Sequence, residues 1–284
     1  MRRIQFIEIH DQPWCPSSIR DGLTDSLQFG MNLVNPYESV VPLLRSVLDS
    51  LQKESNSVIS KSGSSRIQQS IVDMCSGGGG PWLSLAREFE SREARADPTS
   101  LHIWLTDKYP NHRAFRNPCS ASGNCITFYP HSVDATQVPP ELKGTRTMFT
   151  SFHHFSPERA RAILQNAVDA REGIAIFEST RRAPATIALM AAWVFMLFVC
   201  SPWMRPFRWS RLLWMYLIPI LPVVLLFDGV VSCLRTYRPE ELRQLVKGLN
   251  PNDYEWKMGE NCAGTAPITY LLGLPRGSST ELDR

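Results

Sequence analysis

The sequence predicts an α/β fold: a doubly wound parallel sheet with helices on both faces. Three observations predict it. A short β-type run, Ile71-Val-Asp73, ends on an acid and runs into four glycines, Gly77 to Gly80, and then into a segment with helical apolar spacing. Downstream, short apolar runs alternate with helical patterns, the signature of βαβ units. Near the C-terminus two strand patterns follow one another, as an antiparallel pair at a sheet edge would.

Taken in order, residues 1–66 read as an N-terminal helical extension. Residues 11–16 carry two prolines and an aspartate and read as a turn. Helical periodicity covers 22–34 and 40–51, where Val41, Leu43, Leu44, Val47, Leu48 and Leu51 share a stripe. The Ser-rich stretch 55–65 reads as a linker. The alternating part then predicts strand 70–74, helix 81–92, strand 101–106, a helix or loop over 110–118 and strand 125–129. It continues with strand 147–151, helix 157–170 and strand 173–177. Ser156 and Pro157 suit a helix start, because serine caps and proline lacks only an N–H that would be orphaned there. A last helix, 238–248, is bounded by Pro239 and Gly248, and strands at 254–258 and 267–274 close the domain.

An apolar insertion interrupts this pattern. Residues 183–204 carry no charge over a length that matches a bilayer core of roughly 30 Å. A basic, aromatic connector (205–211) leads to a second uncharged run (212–227), extended by 229–234 beyond Asp228. Pro219 and Pro222 should kink that run. The two runs predict a hydrophobic helical hairpin over 183–234, in or on a membrane, with a buried hairpin or dimer interface as the alternative. Arginines 181, 182, 235 and 238 flank it, and three more sit in the connector. Charge therefore gives no direction, and a span and a re-entrant hairpin both stand. The tryptophans at 193, 203, 209 and 214 suit an interface or a core. Asp228 reads either as a functional acid or as the point where the segment leaves the lipid.

Composition limits the choice of function. A net charge of +3 gives no support for a nucleic-acid partner. Seven cysteines without paired metal spacings argue reduced thiols on the cytoplasmic side and no metal site. The charged start, Met1-Arg-Arg-Ile-Gln5, does not have the form of a secretory signal.

Residues 67–275, the hairpin excepted, resemble the class I S-adenosylmethionine-dependent methyltransferases. Asp73-Met-Cys-Ser-Gly-Gly-Gly79 resembles the family's acid-x-Gly-x-Gly-x-Gly turn, with Cys75 in place of the first glycine. The resemblance implies a Rossmann-like methyltransferase sheet with S-adenosyl-L-methionine held by Asp73, Cys75, Ser76, Gly77 and Gly79. It implies that Asp107 takes the ribose hydroxyls, and that Asp134 and the backbone of Ala135 meet the adenine. Phe149-Thr-Ser-Phe-His-His-Phe155 matches the fourth strand and the loop that faces the methyl group. The long spacing from Asp73 to Asp107 implies a surface insertion near 92–100. The resemblance divides the chain into an extension or lid (1–66), a cofactor-binding part (67–182), the hairpin (183–234) and a closing helix and strand pair (235–284).

Methyl transfer from a sulfonium needs alignment, exclusion of water and at times a base. His153 and His154 stand where a base would lie, and a strand-end hydrogen-bonding role fits each equally. Glu178 ends the fifth strand and faces either the cleft or solvent. His10, Asp11 and Trp14 suit either a lid or plain packing. The hairpin's place in the chain suggests a small, lipophilic acceptor. A nicotinamide-dependent oxidoreductase and a membrane-anchored binding or scaffold protein remain as alternatives.

Overall fold

A computed structural model describes residues 1–59, 69–93, 101–111, 114–116, 119, 125–250, 254–264 and 266–276. In chain order the main elements are α1 (Ser17–Val34), α2 (Val41–Ile59), β1 (Gln69–Asp73), α3 (Trp82–Glu93), β2 (Leu101–Leu105), β3 (Ile126–Phe128) and β4 (Thr145–Phe149). They continue with α4 (Pro157–Ala170), β5 (Ile174–Glu178), α5 (Pro184–Cys200), α6 (Trp209–Leu212), α7 (Ile220–Arg235), α8 (Pro239–Val246), β6 (Tyr254–Asn261) and β7 (Ile268–Pro275). The chain divides into two compact units. One comprises Met1–Val34 and Thr180–Arg238, the other Asn35–Ser179 and Pro239–Arg284. The stretch read as one N-terminal extension therefore contributes α1 to the first unit and α2 to the second.

The second unit holds a seven-stranded sheet in the order β3-β2-β1-β4-β5-β7-β6. Strands β1 to β5 are parallel, and β7 runs antiparallel between β5 and β6. All five residues of β4 and of β5 are buried. Successive side chains point to opposite faces, so the centre of the sheet is covered on both sides, as a parallel sheet requires. After β3 the chain crosses back to place β4 on the other side of β1. That reversal opens a crevice at the carboxyl ends of β1 and β4, the usual ligand position in such sheets.

Most elements lie within a residue or two of the predicted ranges. Strand β4 begins and ends two residues before the predicted 147–151, for a backbone reason. Gly144, with φ of 128°, brings the chain so close to β1 that a Cβ there would lie 2.3 Å from the Ser70 carbonyl oxygen. Thr150, with φ of 42°, then turns the chain out of the strand. Helix α4 spans the predicted 157–170, with the Ser156 hydroxyl accepting from the Arg159 N–H and Arg171 closing it in the left-handed conformation. Edge strand β6 runs three residues past the predicted 258; its exposed Glu260 and half-exposed Asn261 break the apolar alternation that marks a strand. Helix α2 continues to Ile59 through part of the presumed linker, while residues 60–65 lie outside the described ones. So do most of the insertion expected at 92–100 and residues 112, 113, 117 and 118; residues 114–116 are helical.

In the first unit, α5 occupies the first apolar run and α7 most of the second. Between them α6 passes into a π-helical turn, Leu213–Leu217. The chain then bends by 81° into α7 at Pro219, while Pro222 lies in the first turn of α7, where its missing N–H is tolerated. Helix α1 packs on this pair. Cys15, Ile19 and Leu23 join Val194, Leu197, Met204, Met215, Leu221, Val224 and Leu225 in one core. Gly22 admits Leu221, and Gly30 admits Trp193 against bare backbone.

Asp228 anchors the N-terminal segment. Its carboxylate accepts from the N–H groups of Ile9 (2.8 Å) and His10 (3.1 Å) and meets His10 Nδ1 at 2.9 Å. One and two turns on, Ser232 and Arg235 bind Glu8, with Arg235 Nη1 3.0 Å from its carboxylate. Asp25 likewise receives Arg208 Nε (2.6 Å) and Arg211 Nη1 (3.1 Å) from the connector.

Candidate functional site

Five strand ends of the sheet unit, those of β1 to β5, build the site. Asp73 closes β1 and is buried. Its carboxylate oxygens accept from the hydroxyls of Ser76 (2.6 Å) and Thr147 (2.7 Å). Burial dominates and lifts this carboxyl to about 7, against the pull of those two hydrogen bonds. The Thr106 N–H and hydroxyl both donate to the Asp73 carbonyl at 2.9 Å, and the Ser76 N–H donates to the Thr106 carbonyl at 3.0 Å. The ends of β1 and β2 are thereby tied together beneath the glycine turn.

The turn itself is left-handed at four positions: Cys75 (φ 58°), Gly77 (53°), Gly79 (108°) and Gly80 (57°). Three are glycines, for which this conformation carries no steric penalty. Cys75 is not a glycine and occupies the same region at a cost. The Gly79 N–H closes the turn on the Ser76 carbonyl at 2.7 Å. A Cβ added at Gly77 would meet nothing within 4 Å, so the backbone there faces open space.

Asp107, just past β2, lies against that backbone. Its carboxylate accepts from the Gly77 N–H (3.0 Å) and the Tyr109 N–H (2.8 Å). Each carboxylate oxygen has capacity for a second donor. Asp134 follows β3. It accepts from the Thr136 N–H and hydroxyl, and it pairs with Lys108 (2.9 Å) and Arg159 (3.2 Å). Partial burial would raise its pKa, but the hydrogen bond and charge of Lys108 and the Thr136 donors outweigh that and hold it well below the ordinary carboxylate range. Ala135 is buried in the turn that follows.

At the ends of β4 and β5, His153 and Glu178 form a buried pair, with His153 Nδ1 2.7 Å from Glu178 Oε2. The other Glu178 oxygen accepts from the N–H groups of Phe152 (2.7 Å) and His153 (3.2 Å). Burial pushes the Glu178 pKa up, and the adjacent imidazole and the donated hydrogen bonds more than reverse it. Glu178 therefore faces inward, of the two orientations the sequence left open. The His154 ring lies 4.4 Å from that of His153, centroid to centroid. The predicted residues thus form two groups, Asp73–Ser76–Gly77–Asp107 and His153–Glu178, with Asp134 joined to the first through its neighbour Lys108.

A third cluster was not among the predicted site residues. The Tyr37 hydroxyl binds Thr150 and Ser179, whose own oxygens lie 2.8 Å apart. Burial raises the Tyr37 pKa, and its ring meets Phe149 edge-on at 5.0 Å. Ser151 is buried too, and no described residue hydrogen-bonds its hydroxyl. A buried polar atom of this kind calls for a partner. A doublet of hydroxyl residues at a strand end, Thr150-Ser151, was the available signal.

No family model matches the chain, and no curated protein matches it. Among solved structures it is similar to the plantazolicin methyltransferase BpumL in complex with SAH, with 11% identity and a TM-score of 0.46 over 91% of this chain and 98% of that one. The magnesium protoporphyrin IX methyltransferase ChlM from Synechocystis PCC 6803 with bound SAH gives 14%, 0.41, 82% and 87%. A putative Zn-dependent alcohol dehydrogenase from Rhodobacter sphaeroides gives 14%, 0.42, 74% and 85%. Likeness at this level carries no chemistry, which rests on the residues of the site.

Proposed function

We propose that this chain is an S-adenosylmethionine-dependent methyltransferase that acts at a membrane on a small, lipophilic acceptor. The observation that carries the reading is the Asp107 carboxylate bonded to the Gly77 N–H at the switch point of the sheet, with open space over that glycine. A carboxylate there with spare acceptor capacity suits a vicinal diol. In this reading Asp73, Cys75, Ser76, Gly77 and Gly79 form the cradle, Asp107 takes the ribose, and Asp134 with Ala135 meets the adenine.

The cofactor, when bound, supplies an electrophilic methyl group on a sulfonium. The chain's part is to align the acceptor, exclude water and take a proton. His153 donates its Nδ1 proton to Glu178, which leaves Nε2 as the basic atom for the acceptor's proton. Glu178 is then a positioning residue. His154 and the Ser151 hydroxyl are further contacts for the acceptor. The insertion begins at Thr180, two residues after Glu178, and this supports a lipophilic acceptor. Helix α5 with its following turn, Pro184–Trp203, is long and apolar enough to cross a membrane, and the bent pair after it qualifies only if it counts as one span. Seven cysteines without disulfide spacing favour placing the sheet unit on the cytoplasmic side.

Isothermal titration with S-adenosylmethionine, S-adenosylhomocysteine and the nicotinamide dinucleotides tests the cofactor. Binding of the first two alone is expected, and Asp107→Ala should abolish it without changing the melting temperature. Preference for a dinucleotide would replace the reading with an oxidoreductase. With an acceptor in hand, His153→Asn should lower kcat far more than KM.

A further inference from the structure

We propose that the unit built from Met1–Val34 and Thr180–Arg238 sits in one leaflet of a bilayer, its outward apolar face in the lipid, and does not span it. This inference rests on the membrane reading above and fixes the mode of attachment. Helix α5 is apolar on both its sides, where a surface helix would be amphipathic. Its inner side packs Val194 and Leu197 into the core, and its outer stripe of Ala188, Ala192, Phe195 and Val199, spaced three or four apart and followed by Trp203 in the next turn, is exposed and wholly apolar. Helix α7 adds Val223, Leu226 and Phe227 to the exposed apolar residues, and the bend before it adds Leu217 and Ile218.

Bilayer rather than a second copy of the chain is favoured by the fringe of this surface. Trp203, Phe207, Trp209 and Tyr216 are exposed around a connector that carries the exposed Arg205 and no acid, its other two arginines being paired with Asp25. Amphipathic aromatics beside cations suit the headgroup level of an anionic leaflet.

Two ties argue against spanning. Asp228 lies eight residues into α7, about 12 Å from its start, against a hydrocarbon core of roughly 30 Å. A spanning hairpin would carry Asp228, with the backbone of Ile9 and His10 bonded to it, to mid-membrane depth. The connector, which a span would send to the far side, is held to α1 through Asp25 with Arg208 and Arg211. Helix α1 would have to follow, with Arg20, Asp21, Gln28 and Asn32 along it. Lying in one leaflet keeps these groups in water and the apolar stripe out of it.

The test uses the full chain with sealed vesicles of phosphatidylcholine and phosphatidylserine. Wild type should co-float with them, and the paired substitution Trp209→Ser, Leu217→Ser, at two highly exposed positions, should weaken partitioning about tenfold or more with unchanged melting. An impermeant aqueous quencher sealed inside the vesicles should leave the fluorescence difference between wild type and Trp209→Phe untouched. Lumenal quenching of that difference would overturn the one-leaflet mode while leaving the membrane reading intact. No flotation, with dimerisation lost in the same paired variant, would overturn both and make a second copy the occupant.

Discussion

Replacing Asp73 by Asn isolates the cost of burying a charge beneath the glycine turn. Burial raises this carboxyl from 3.8 to about 7, so folded protein holds a proton that the unfolded chain releases over that interval. A raised folded pKa means that the contribution to stability is fully present below the unfolded value and is lost as pH rises through about 7. Between pH 5 and pH 8 the change crosses about two pKa units, which is about 3 kcal/mol at 1.36 kcal/mol per unit. That is a large part of a typical domain stability of roughly 5–15 kcal/mol. Asn has nearly the same shape and no charge to bury. Urea unfolding of both proteins, without ligand, should therefore show wild type losing stability relative to Asp73→Asn by about 3 kcal/mol as pH rises from 5 to 8. Other titrating groups are common to both and cancel. A difference between the two that stays flat with pH would refute the argument, and would mean that the Ser76 and Thr147 hydroxyls already compensate the charge in full.

Three further outcomes follow from the same structure. Cys75→Gly, at φ of 58°, should stabilise the protein by about 1 kcal/mol in denaturant unfolding, the left-handed penalty less the entropy glycine adds to the unfolded chain. Asp25→Ala strands the fully buried Arg211 and should cost about 3–5 kcal/mol, whereas Asp21→Ala breaks only a half-exposed pair with Arg208 and should cost under about 1 kcal/mol. Tyr37→Phe leaves Thr150 and Ser179 bonded to one another, so thermal melting should register a loss of only about 1 kcal/mol.

The sheet was legible because its central strands are short apolar runs cut by residues that cannot continue them, and the acids at their ends stand beside those breaks. Asp73 and Asp107 are 34 positions apart in the chain, yet parallel pairing of β1 with β2 in register from Gln69–Leu101 to Asp73–Leu105 brings their neighbourhoods together. Partners of that kind can be inferred from strand order. The Tyr37–Thr150–Ser179 cluster cannot, since Tyr37 precedes α2 in a stretch with no strand to register it. Lys108 and Arg159 on Asp134 were equally hidden, because an exposed cation in a sequence looks the same whether solvated or paired.

Asp228 shows how an apolar context misleads in a different way. From the sequence, an acid between Leu225-Leu-Phe227 and Gly229-Val-Val231 is either functional or a lipid exit, since nothing nearby in the chain can satisfy it. Its partners come from 219 and 218 positions away: two backbone N–H groups that no side-chain pattern advertises, and the His10 ring beside them. Glu8 with Arg235 and Asp25 with Arg208 and Arg211 repeat the device. In each case a charge in the apolar insertion is matched by a polar group of the first 34 residues, so neither segment can enter a hydrocarbon phase without the other. The N-terminal segment and the insertion are therefore one structural unit by electrostatics as well as by packing. Removing residues 1–34 would leave Asp228, Arg211 and Arg235 without the partners that make their burial tolerable.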